Sequence, residues 1–157
     1  MSRSSLRAWC AAVLTLAFGA SACTISTPYR TAASSDERGD TVFVSVTHAV
    51  VKENRASRRL FFEYVENVEE SLPASPGYVG FSKRMVLFGN DAWTMTVWKD
   101  EASLERFVRS YAHQIAIRNA FVALESARFA RVEMAADDAP LSWEQALAAL
   151  ESEARTY

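Results

Sequence analysis

A hairpin in the middle of the chain constrains the fold most, because its strands carry large apolar side chains on both faces. Residues 78–88 and 92–98 are rich in aromatic and β-branched residues, and residues 89–91 (Gly-Asn-Asp) between them are typical of a tight turn. Successive residues of a strand point to opposite faces, so Trp93 and Trp98 lie on opposite sides of the sheet. A sheet built on this hairpin therefore needs an apolar covering layer on each side.

Two further strands are predicted outside the hairpin. Residues 41–49 alternate between a valine-rich face and a face that carries Phe43, Ser45 and Thr47. Residues 128–134 alternate in the same way. With the hairpin, these segments make four strands.

Three helices are predicted from N-cap residues that are followed by apolar side chains at helical spacing. The caps are Asn54, Asp100 and Ser142. The second helix is predicted to be continuous, and its inner stripe consists of Leu104, Phe107, Val108, Tyr111 and Ile115. The order strand-helix-strand-strand-helix-strand, with an extra C-terminal helix, predicts an α+β fold of the ferredoxin-like type.

Two helices can cover only one face of this sheet, whereas the hairpin has apolar side chains on both. Large exposed apolar patches are rare on monomers. A second copy of the same sheet is the simplest cover, so we expect a homodimer with an isologous interface, a dimeric α+β barrel. The domain is predicted to span residues 41–157.

Residues 93–113 (WTMTVWKDEASLERFVRSYAH) resemble the central motif of antibiotic-biosynthesis-monooxygenase-like proteins, which belong to the dimeric α+β-barrel superfamily. Residues 76–78 (PGY) and 139–147 (APLSWEQAL) resemble related members with this architecture. The resemblance covers about residues 41–150 and implies the fold. The resemblance does not select one function, because the superfamily includes cofactor-free monooxygenases, haem-degrading enzymes and proteins without a known activity.

Three polar residues are candidates for a catalytic role. His113, near the end of the second predicted helix, is a general base or hydrogen-bond donor in a pocket between helix and sheet, or it interacts with the last carbonyls of its helix. Tyr111 precedes it by two residues. Arg84 shares a strand face with Ser82 and Val86, and it either holds an acidic group of a substrate or extends to the sheet edge.

Four ring-bearing residues are candidates for binding a ligand, although packing in the core or in a dimer interface explains each of them as well. They are Trp93, Trp98, Phe107 and His48. The sequence has two histidines and no cysteine inside the predicted domain, which does not match the spacing of zinc or iron sites. We therefore expect no metal and no cofactor.

Three functions stay open at this point. The first is an enzyme that oxidises a small aromatic or lipophilic substrate without a cofactor, as the resemblance implies. The second is a binding module that holds a small apolar ligand, haem-like or lipid-like, without converting it. The third is a structural dimer whose pocket is filled by side chains. A pocket lined by His113 and an aromatic ring favours the first two.

Residues 1–22 have the parts of a bacterial export signal. Arg3 and Arg7 form the basic part, residues 8–20 form an apolar run of 13 residues, and residues 20–22 (Ala-Ser-Ala) provide the small side chains that signal peptidases require. An apolar run of this length is too short for a membrane span, which needs about 20 residues. The segment is predicted to be a signal peptide.

Cys23 directly follows these small residues, and the arrangement resembles the lipobox of bacterial lipoproteins. The alternative is ordinary cleavage, which would leave a secreted protein that begins with a cysteine. Cys10 would be removed with the signal, so Cys23 would have no partner within the chain. Because an unmodified single thiol is a liability in an oxidising compartment, we expect lipidation at Cys23.

Residues 23–40 are small and polar, without apolar periodicity, and are predicted to be a flexible tether between the lipid and the domain. Removing residues 1–22 takes away two arginines and no acid, so the net charge changes from −2 to −4. An acidic chain is not suited to bind nucleic acid. We expect a protein of the cell envelope that contacts the membrane through its lipid anchor only.

Overall fold

The computed structural model of the protein describes residues 23–32 and 39–156. The strands are β1 (Thr24–Ser26), β2 (Arg30–Thr31), β3 (Thr41–Val51), β4 (Tyr78–Val86), β5 (Asp91–Trp98), β6 (Leu124–Ala135) and β7 (Arg155–Thr156). The helices are α1 (Arg55–Ser71), α2 (Glu101–Val108), α3 (Tyr111–Ala120) and α4 (Trp143–Ser152). Short 3₁₀ turns follow at Leu72–Ala74, Phe121–Ala123 and Ala136–Asp138. The predicted signal peptide lies outside the described residues.

One antiparallel sheet organises the molecule, in the order β1-β4-β5-β3-β6-β7, and β2 also pairs with β4. The four long strands, in the order β4-β5-β3-β6, are connected as in a ferredoxin-like fold, since each of the two crossovers skips the strand between. The predicted α+β class and ferredoxin-like fold are confirmed. None of the helices in the described residues is long and apolar enough to span a membrane.

The three predicted helix caps are confirmed. The side chain of Asn54 accepts a hydrogen bond from the Ser57 amide at 2.8 Å, and that of Asp100 accepts one from the Ser103 amide at 2.7 Å. Ser142 forms a capping box at the start of α4. These side chains satisfy amides that have no partner within the helix, which is why the helices begin where the sequence predicts.

The prediction of one continuous second helix is wrong. The helix ends after α2, and Ser110 caps a new helix, α3, by accepting a hydrogen bond from the His113 amide at 3.4 Å. The break changes the direction in which the following side chains point. Tyr111, predicted on the inner stripe, is 82% exposed as a result.

The α4 helix covers the second face of the sheet. Val42, Val44 and Val46 are fully buried on that face, in one cluster with Ala146 and Leu150 of α4. The expectation that this face has no cover within the chain is wrong, because α4 provides one. The homodimer stays a prediction, but burial of these valines does not require it.

The first part of the predicted tether belongs to the sheet. The β1 and β2 strands pair with β4, which would otherwise be an edge strand with free backbone groups. Tyr29 lies between them and packs over Gly80, where a Cβ atom would approach the Tyr29 Oη to 2.2 Å. Residues 24–31 are therefore not a free tether, and residues 33–38 lie outside the described part of the chain.

Candidate functional site

A cavity lies between the sheet and the helices α1, α2 and α3, on the face opposite to α4. Its volume is about 190 Å³. Its helical wall is mostly apolar and includes Phe61, Val65, Val68, Leu104, Phe107 and Ile117. Sites for drug-sized ligands have about 300–1,000 Å³, whereas an apolar cavity of about 150 Å³ accepts a benzene ring. The space therefore suits a molecule with one ring.

The sheet side of the cavity carries hydroxyl groups. Ser45 lies directly across from Thr96, and Thr47 lies across from Thr94, so two neighbouring strands present four hydroxyls in two cross-strand pairs. One of them is engaged within the protein, because Thr96 accepts a hydrogen bond from the Trp98 indole at 2.9 Å. An apolar wall opposite a hydroxyl-lined floor matches an aromatic ligand with polar substituents.

His113 lies in the cavity wall, where α3 approaches the end of α2. Its Nδ1 is 3.2 Å from the Val108 carbonyl oxygen. A carbonyl only accepts, so Nδ1 carries the proton and the neutral ring keeps the lone pair of Nε2 as an acceptor. The pKa of His113 lies below its ordinary value of 6.5, because burial disfavours the imidazolium more than this hydrogen bond favours it. At neutral pH, His113 is therefore a neutral base.

Two ion pairs flank the cavity. Lys83 of β4 lies 2.6 Å from a carboxylate oxygen of Glu69 in α1, and Arg131 of β6 pairs with Glu105 of α2. The Nε of Arg131 is buried and has no hydrogen-bond partner among the described residues. Arg131 thus places a guanidinium charge in the cavity wall, which is suited to an anionic oxygen of a ligand.

The structure brings four of the seven predicted site residues to this cavity: Arg84, Trp93, Phe107 and His113. The rings of Phe107 and His113 lie 5.1 Å apart. Tyr111 points to solvent, so its predicted place in the pocket is wrong. Trp98 is fully buried between Tyr78 and Phe107 and does not line the cavity, so the prediction that it binds a ligand is wrong.

Arg84 and Trp93 border the cavity from the sheet and lie in one row with His48, across β4, β5 and β3. The His48 and Trp93 rings stack at 4.7 Å, and His48 Nε2 lies 2.7 Å from an oxygen of Asp91. Strand alternation directs the side chains of this row to the face of α4, and of the three residues His48 alone does not line the cavity. The grouping of Arg84 with His113 in one catalytic site stays a prediction.

Sequence reasoning missed Arg131, Lys83 and the four hydroxyls. The sequence contains one indication of the hydroxyl groups: Ser45 and Thr47 lie on the strand face that the predicted helices cover, where apolar residues are expected. Polar residues on a face that helices must cover indicate a space rather than a packed core. In the described part of the chain, no group of three or more His, Cys, Asp or Glu residues stands in an arrangement that could hold a metal ion.

Comparison with known proteins shows the fold. No protein-family model matches the sequence, and no curated protein matches it. An inferred monooxygenase from Lactobacillus acidophilus superposes with a TM-score of 0.55 at 15% identity over 70% of this chain and 49% of that one. An inferred antibiotic biosynthesis monooxygenase from Nitrosomonas europaea superposes with a TM-score of 0.52 at 13% identity, over 60% of this chain and 88% of that one.

A conserved protein from Methanosarcina mazei gives a TM-score of 0.54 at 17% identity, over 59% of this chain and 92% of that one. This chain spans about half the length of the Lactobacillus protein. At such identities the similarity shows a shared fold and leaves the activity open. The shared fold is the ferredoxin-like α+β fold.

Proposed function

We propose that the protein is an exported, lipid-anchored monooxygenase that acts on a small phenolic molecule and uses molecular oxygen directly. The observation that carries the proposal is His113, held neutral in the wall of a ring-sized cavity with its Nδ1 proton directed to Val108. A base in this state can remove the proton of a phenol. The similarity of the fold to inferred monooxygenases supports the same reaction class.

The proposed reaction needs no electron donor other than the substrate. His113 Nε2 takes the phenolic proton, and the phenolate transfers electrons to oxygen. One oxygen atom is bonded to a ring carbon and the second leaves as water, so a phenol and O2 give a quinone and H2O. The phenol loses four electrons in this step, and O2 gains four. The Arg131 guanidinium stabilises the negative charge that develops on the oxygens.

Oxygen incorporation tests this proposal. The chain from residue 23, with Cys23→Ser to avoid disulfides between chains, is incubated with single-ring phenols under ¹⁸O2, and the products are analysed by mass spectrometry. We expect one labelled oxygen in a quinone product and one in water. Binding without conversion would contradict the enzymatic proposal and support a non-catalytic binding module. No binding of any single-ring phenol would contradict both.

Export and lipidation are the second part of the proposal. They are supported by the signal-like residues 1–22 and by Cys23, which is exposed at the surface. Mass spectrometry of the N-terminal peptide from membrane-extracted protein should show diacylglycerol on Cys23. A chain that starts at Cys23 with a free thiol, recovered from the soluble fraction, would contradict the anchor and leave the cavity proposal untouched.

A further inference from the structure

Four segments lie together at one end of the domain: the turn between β4 and β5, the end of β3, the start of α1 and the turn after α3. The Val51 amide donates to the Asn90 carbonyl at 2.9 Å, and the Lys52 amide donates to the Ala123 carbonyl at 2.9 Å. Arg58 of α1 donates to the Gly89 carbonyl at 2.5 Å. We call this surface the hairpin end.

The hairpin end exposes several large apolar side chains. Phe88, at the tip of the turn, is 91% exposed, and Val122 is 65% exposed. Leu87 and Phe121 are about half exposed beside them. Single exposed apolar residues are ordinary, but four at one end of a domain form a contact surface.

Cations surround these apolar side chains. Lys52, Arg55 and Arg59 are exposed, and Arg58 joins Arg55 and Arg59 in a groove next to Phe88. The arginines occupy the first turns of α1, which contain no acid. The helix N-terminus carries partial positive charge, so cations there are unfavourable without an anion.

The acids of this end are fewer than its cations. Glu53 lines the groove, and Glu125 follows the turn at Phe121–Ala123. Asp91 is engaged with His48. The hairpin end is thus locally basic on a chain whose net charge is −2.

Cys23 lies at the same end. Its carbonyl accepts a hydrogen bond from the Leu87 amide at 2.8 Å, one residue from Phe88. Because β1 starts at Thr24, no free chain separates Cys23 from the sheet. An acyl group on Cys23 would enter a bilayer beside the hairpin end.

We infer that the hairpin end is a membrane-docking surface, which contacts anionic phospholipid headgroups through Arg55 and Arg59 and inserts Phe88 into the interface. Aromatic and basic side chains in one surface are the combination that binds anionic membranes. The inference replaces the expectation that the lipid anchor is the only membrane contact, because it places the hairpin end of the domain directly on the membrane. It does not require the acyl group, and it is independent of the reaction in the cavity.

Vesicle flotation tests the inference without the lipid anchor. The chain from residue 23 with Cys23→Ser contains every described strand and helix. It should bind vesicles of equal parts phosphatidylglycerol and phosphatidylcholine, and bind phosphatidylcholine alone much less. Arg55→Glu should lower the affinity for the mixed vesicles by at least roughly fivefold, the effect of one cation near an anionic surface. Phe88→Ser should lower the affinity for both.

The far end of the domain supplies matched controls. Tyr111 is 82% exposed, against 91% for Phe88, but it begins α3, about 15 Å from the turn that follows this helix. Arg109 is exposed next to it. Tyr111→Ser and Arg109→Glu should leave vesicle binding unchanged. Arg55→Glu should also retain or raise the melting temperature, since an acid suits a helix N-terminus. Equal losses in the control variants, or no binding by the parent chain, would overturn the inference.

Discussion

Ala146→Asp is expected to destabilise the protein by about 3–5 kcal/mol, the cost of an uncompensated charge in a core. Ala146 is fully buried where α4 lies on the valine-rich face of β3. Domains of this size are stable by about 5–15 kcal/mol, so the loss removes much of the total. Urea unfolding followed by circular dichroism measures it.

Ala148→Asp is the matched control, because Ala148 is exposed on the same helix. Both variants have the same loss of helix propensity, at most about 0.7 kcal/mol, so their difference reports burial alone. We expect the Ala148 variant to lose less than about 1 kcal/mol. Equal losses would mean that α4 does not cover the sheet in solution, and a second copy would again be needed to bury the valines.

His113→Gln is expected to lower turnover of a phenolic substrate by about 10²–10⁴-fold, the usual contribution of a general base. The Gln amide can still donate to the Val108 carbonyl but has no basic atom. Binding should change much less than turnover, because the ring-sized space and the hydroxyl floor remain. Separate measurements of substrate affinity and kcat distinguish the two effects.

His48→Gln is the control for this variant. His48 is the other histidine of the chain, and it lies on the opposite face of the sheet, paired with Asp91. Its replacement should leave kcat unchanged. If both variants lose turnover equally, or if His113→Gln keeps it, His113 is not the base.

The pKa of His113 also predicts a pH dependence. The folded state holds His113 neutral below its ordinary pKa of 6.5, where the unfolded chain binds the proton. Stability should therefore decrease as the pH falls below 6.5, and this part of the decrease should be absent in His113→Gln. Turnover should likewise fall only below 6.5, since the base is neutral above it.

The sequence predicts the strand order and the helix starts well, because they depend on local chemistry. Alternation identifies β3 and β5, and the side chains of Asn54, Asp100 and Ser142 cap the helices as expected. The break before α3 was missed. Ser110, three residues before His113, was its sequence signal, but the apolar spacing continues across it and suggests one helix.

The partners of each surface could not be predicted, because they depend on contacts between distant segments. The sequence of α4 predicts an amphipathic helix but not the surface on which it packs. The structure shows that this surface is the face of the sheet that carries Val44. Residues 24–31 join the sheet through backbone pairing with β4, which needs no apolar pattern in the sequence. In this segment only Tyr29 packs against the core. Similarly, Arg131 reaches the candidate site because β6 pairs with β3, which places Arg131 opposite Ser45.

The central claim is that the cavity presents a neutral His113 whose Nε2 accepts the proton of a bound phenol. The imidazole ¹⁵N NMR spectrum tests it directly, because the chain has two histidines and His113→Gln assigns the signals. At neutral pH we predict a proton on Nδ1 of His113 and a shift of its Nε2 signal when phenol is added, with His48 unchanged. A protonated His113 ring at neutral pH, or an Nε2 signal that phenol does not move, would contradict the account.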